Sequence, residues 1–104
     1  MQVKLFHNSN CHVWKDTLSV LEEVLEEANL KPYYEVVLVR DDKDAQEIRF
    51  LGSPTIQING NDIDSQARDL RTFNASTCRI YFWQGKSYES PPKEMILAAL
   101  EELG

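Results

Sequence analysis

The chain predicts an α/β domain, one mixed sheet with helices on both faces, in the order βαβαββα. Three observations carry that prediction. A short β-rich run at residues 2–7 leads through a polar turn into a long segment with apolar residues at three- and four-residue spacing. A second β-rich run follows, and strand, crossover helix, strand gives a parallel, right-handed pair. Two more strand-like runs and a final amphipathic segment then add an antiparallel edge and a closing helix.

Residues 2–7 form the first strand. Asn8, Ser9 and Asn10 are turn and N-cap types, and a helix runs from Cys11 to about Asn29. It buries Trp14, Leu18, Leu21, Leu25 and Ala28 and turns Glu22, Glu23, Glu26 and Glu27 to water. Asn29 and Lys31-Pro32 stop it. Residues 34–39 are β-branched and nearly all apolar, as in a strand covered on both faces. Asp41 and Asp42 cap a short helix containing Ala45, Ile48 and Leu51, which Gly52 ends. Residues 55–58 form the third strand, closed by Asn59-Gly60; residues 61–77 are polar and irregular. Residues 78–83 form the fourth strand, ended by Gln84-Gly85. Ser90-Pro91-Pro92 opens the last helix, which buries Ile96, Leu100 and Leu103. The expected spatial order is second, first, third, fourth, with the first and last helices on one face.

With 104 residues the chain is about one domain and shows no linker or repeat. Its net charge of −6 argues against nucleic acid, whose phosphates need a basic surface, and against an anionic membrane surface. No stretch approaches the roughly 18 apolar residues of a membrane span. The opening residues run straight into a strand with no apolar leader, and two cysteines without a leader suggest free thiols in the cytoplasm. Nothing in the sequence sets the oligomeric state.

Cys11 is the residue most suggestive of chemistry. A helix N-terminus has unpaired N–H groups and a partial positive charge, both favouring thiolate. His7 and His12 nearby would lower the thiol pKa further when charged. The same placement also fits an inherited, inactive cysteine. Trp14 reads first as a core residue that shields one side of Cys11, and second as an apolar wall for a substrate. Cys78 is expected far away: if the chain leaves Pro54 at the end of the sheet near Cys11, five residues at about 3.3 Å each carry it roughly 16 Å, and a disulfide needs Cα atoms within about 7 Å. Only a backward bend of residues 61–77 would change that. The spacing of Asp62, Asp64 and Asp69 matches no calcium loop, and Cys11 with His12 gives too few ligands for a structural metal. No cofactor is implied.

Cys11 after the first strand and Gly52-Ser53-Pro54-Thr55 before the third resemble the thioredoxin-like superfamily over almost the whole chain. The resemblance implies that Cys11 is the active-site cysteine and that Pro54 is a cis-proline lying against it. Ser53 would then offer backbone hydrogen bonds to an extended peptide or thiol substrate, with His12, Trp14 and Thr55 completing a substrate groove. Cys11-x-x-Trp14, residues 50–56, Asn59-Gly60-x-Asp62 and Cys78-Arg79-x-Tyr81 further resemble a group of short CxxW-type thioredoxin-like proteins, some carrying an alkylmercury-lyase label. Trp14 stands where a dithiol enzyme has its second cysteine, and no glutathione-binding segment is evident after residue 83. The expectation is therefore a monothiol protein that exchanges disulfides with protein or small-molecule thiols, Cys11 attacking and an external thiol resolving. The alternatives are a non-enzymatic peptide- or thiol-binding module, and organomercurial binding or cleavage.

Overall fold

The computed structural model describes residues 1–30 and 34–104, so the expected stop at Lys31-Pro32 lies outside the described residues. Strand β1 (Val3–His7) leads to helix α1 (Trp14–Glu27), β2 (Tyr34–Leu38), α2 (Asp42–Ile48), β3 (Thr55–Ile58) and β4 (Asn61–Asp62). A 3-10 turn at Ser65–Asp69 and an irregular stretch precede β5 (Tyr81–Trp83), β6 (Lys86–Tyr88) and α3 (Lys93–Leu103). The main sheet has the order β2-β1-β3-β4. Strand β1 pairs parallel with β2 (Leu5 opposite Val36) and antiparallel with β3 (Leu5 opposite Ile56). Order, strand directions and helix placement are those expected of a thioredoxin-like fold.

Alternation along the strands splits the core between the two faces. Val3 and Leu5 of β1, with Ile56 and Ile58 of β3, pack under Leu21, Val24 and Leu25 of α1 and Ile96, Ala99 and Leu100 of α3. Phe6 points the other way and joins Val39, Ala45, Phe50 and Ala75 beneath α2. Helix α2 starts where Asp41 accepts a hydrogen bond from the Asp44 N–H (2.8 Å). It ends at Arg49, which adopts a left-handed conformation before Gly52 is reached.

Three expectations need correction. The fourth strand of the sheet is Asn61–Asp62, not residues 78–83. Asn59 and Gly60 take φ angles of 53° and 82°, the two-residue hairpin turn that sends β3 straight back on itself. Of residues 78–83, only Tyr81–Trp83 forms a strand, and it pairs with β6 in a separate two-stranded hairpin across Gln84-Gly85. Strand β2 is not covered on both faces: Val36 is 39% and Leu38 45% exposed at the sheet edge. Lastly, α1 begins at Trp14, so Cys11 lies three residues ahead of the helix, not in its first turn.

Burial separates the two kinds of apolar strand position. Ile56→Ala removes a side chain with no exposure and is expected to cost about 2–5 kcal/mol of stability. Leu38→Ala at the open edge should stay within about 0.5 kcal/mol. Urea unfolding of the two variants under identical redox conditions measures the contrast.

Candidate functional site

Three segments meet at the C-terminal end of β1: the loop at residues 8–13, the approach to β3 at residues 52–54, and residues 75–79. Asn8 stitches them together. Its side-chain oxygen accepts the backbone N–H groups of Asn10 and Cys11 (3.1 Å each), which shapes the loop. Its side-chain nitrogen donates to the carbonyls of Ala75 (2.9 Å) and Thr77 (3.0 Å). Its own N–H donates to the Ser53 hydroxyl (3.2 Å). Asn8 is buried with all of these groups engaged, whereas the sequence marked it only as a turn former.

Cys11 and Cys78 form a disulfide, with Cα atoms 5.9 Å apart. The expectation of two distant, free thiols is therefore overturned. Because β4 follows β3 at once, the chain from Ile63 to Thr77 is free to pass back across the sheet end and deliver Cys78 beside Ser53. There residue 78 makes a parallel bridge with Ser53. The Ser53 N–H donates to the Thr77 carbonyl (2.9 Å), and the Arg79 N–H donates to the Ser53 carbonyl (3.0 Å). The two cysteines differ in access. Cys11 is 8% exposed, while Cys78 is an exposed residue.

The segment carrying Cys78 is fixed from its far side. Arg79 forms a bidentate pair with Asp62 (2.7 Å to each oxygen) and donates to the Thr55 hydroxyl (3.2 Å). Both side chains are 6% exposed. Burial disfavours the guanidinium charge, but the phenol of Tyr81 and the Asp62 carboxylate hold its pKa above the ordinary value. The Arg79 guanidinium lies over the Tyr81 ring, 4.2 Å from its centroid. Tyr81 is fully buried, its hydroxyl donates to the Pro54 carbonyl, and burial pushes its pKa well up. Gly52 makes the close approach possible: a Cβ there would sit 3.0 Å from the Arg79 Cβ, at a φ of +135°.

The expected site residues are distributed unevenly. The Ser53–Pro54 bond is cis, as the resemblance implied. Cys11, His12 and Ser53 line a hollow of about 300 Å³ together with Cys78, Ile80 and Glu89. Trp14 does not line it; its ring stacks on His7 with centroids 4.0 Å apart. Thr55 is fully buried and spent on Gly52 and Arg79. Of the acids considered as ligands, Asp62 is paired with Arg79 and Asp64 caps the 3-10 turn by accepting the Gln66 N–H. A larger hollow of about 400 Å³ lies between residues 63–66, the β5–β6 turn and α3, and no cysteine or histidine lines it. Among the described residues no helix is long and apolar enough to cross a membrane.

Fold and site together define an α/β protein of thioredoxin-like architecture with a disulfide at the sheet end. The chain belongs to the family described as a domain of unknown function, DUF2703, whose model matches residues 3–100. No curated protein and no solved structure matches it.

Two substitutions test this stitching. Asp62→Asn leaves a buried guanidinium without its counter-charge and is expected to cost about 3–5 kcal/mol in urea unfolding. Asn8→Ala leaves the Cys11 N–H and the Ala75 carbonyl short of a partner, at roughly 1–3 kcal/mol for each buried group. It should also slow re-formation of the disulfide after reduction, as followed by timed alkylation.

Proposed function

We propose that this protein is a cytoplasmic thiol–disulfide redox protein that works through Cys11 and Cys78 as a pair. The observation that carries the reading is their bonding at the sheet end, one residue buried and the other exposed. The monothiol mechanism is thereby replaced: the resolving sulfur belongs to the chain itself. In the reductive direction an external thiolate attacks the sulfur of the exposed residue Cys78, and the S–S bonding pair leaves on Cys11 as thiolate. A second external thiolate attacks the mixed disulfide at its non-protein sulfur and releases Cys78. The net change converts protein disulfide and two thiols into protein dithiol and one external disulfide, and the oxidative direction is the reverse. In the cytoplasm such a bond cycles, since the glutathione pool keeps purely structural thiols reduced.

Two other readings stand beside it. A peptide-binding module using the Ser53 backbone loses support, because residues 77–79 already occupy that position. Organomercurial capture gains support from the same disulfide, since reduction would leave two soft thiolates facing one ion. A titration of the reduced protein with phenylmercury, and of its Cys78→Ser variant, separates one-sulfur from two-sulfur binding.

The redox reading is tested by equilibrating the reduced protein in a glutathione redox buffer, then alkylating and weighing it. The expected product is a monomer lighter by the two bridge hydrogens, with Cys78→Ser giving none of it. Persistent free thiols, or Cys11-linked dimers as the main product, would sink the proposal.

A further inference from the structure

We infer that the Cys11–Cys78 pair exchanges with small thiols and disulfides and excludes the backbone of extended polypeptides, an inference that rests on the redox reading above. A peptide docking as a strand beside a disulfide needs an open N–H and C=O on the adjoining chain. At Ser53 both are spent, on the Thr77 carbonyl and the Arg79 N–H. The chain's own residues 77–79 therefore take up the Ser53 backbone groups that a substrate strand would need, with Cys78 bridged to Ser53.

The occupying segment is no loose lid. Thr77 is held by the Asn8 side chain, Arg79 by the buried Asp62 carboxylate, and Tyr81 by the Pro54 carbonyl. A polypeptide would have to unpair a buried guanidinium to take the place. What remains open is the hollow of about 300 Å³ against the two cysteines. That is the lower end of the roughly 300–1,000 Å³ of ligand pockets, suited to a small-molecule thiol of about ten heavy atoms. In the exchange, a small thiolate RS⁻ attacks the Cys78 sulfur and Cys11 departs as thiolate. A second RS⁻ attacks the RS sulfur of the mixed disulfide, giving RSSR and a Cys78 thiolate.

The test uses the full reduced chain and two probes with the same leaving group. One is cystamine; the other is an unstructured peptide whose central cysteine carries a cysteamine mixed disulfide. Cystamine is expected to oxidise the pair roughly tenfold or more faster than the peptide, as read by stopped-flow and alkylation. Asp62→Asn, which frees Arg79, should narrow the gap wherever circular dichroism shows it folded. The wild-type comparison stands without that variant. Equal or faster oxidation by the peptide overturns the inference and leaves the redox reading in place. Failure of both probes to oxidise the pair overturns the redox reading itself.

Discussion

The disulfide depends on an ion pair that never touches it. Arg79 is the residue after Cys78, and its guanidinium is locked onto Asp62 at the end of the β3–β4 hairpin. Burying two charges is expensive, and such a pair adds little net stability compared with an apolar replacement. Its effect is positional. Once buried, neither charge can be released without leaving the other unpaired, so the chain on either side of Arg79 is confined to one path. Thr77 and Cys78 then fall beside Ser53, and Tyr81 falls beneath Pro54. The sulfur of Cys78 meets that of Cys11 as a consequence.

Much of this architecture was readable from residue pattern. The βαβ unit, the sheet order and the two-faced core follow from strand alternation and the apolar stripes of α1 and α3, which local periodicity exposes directly. The path of residues 61–81 was less readable, because it rests on polar contacts between residues distant in sequence. Even so, two signals were present. Asn59-Gly60 is a two-residue hairpin signature, Gln84-Gly85 puts a glycine where such a turn needs positive φ, and each is followed by a strand. Treating both as stops lengthened the fourth strand to residues 78–83 and placed Cys78 at the wrong end of the sheet. Asp62 and Arg79 gave no such local signal, since a buried ion pair across 17 positions has no period.

The candidate site shows the same division. Cys11, Ser53 and Pro54 were identifiable from their place in the strand order, and they do meet at the sheet end. Asn8 was not, although it makes more of the site's hydrogen bonds than any of them. A buried asparagine offers two donors and an acceptor at once, and that property matters only after three loops have been brought together. Trp14 illustrates the opposite error. It was read as a buried core residue shielding Cys11, but it is only half-buried, its ring stacks on His7, and Cys78 supplies the second sulfur from another part of the chain.

A disulfide closing a loop of 67 positions would by chain entropy alone stabilise the fold by about 4 kcal/mol. A chain of this size could use that as a staple, and a staple is the plainer explanation of any such bond. The arrangement of the partners is equally compatible with the proposed redox function. In the chain-entropy account the gain comes from the unfolded chain, whatever else holds the native segments, and here Asn8, Ser53, Asp62 and Pro54 also hold residues 75–81 by non-covalent contacts. None of those contacts involves a sulfur, so on the proposed redox function they would keep the two thiols near each other with the bond cut. The exposed Cys78 beside a hollow would give the external thiol of that proposal a route to the bond. A pair held in this way and reachable in the oxidised state would suit the proposed exchange, while the same bond also supplies the strength of a staple.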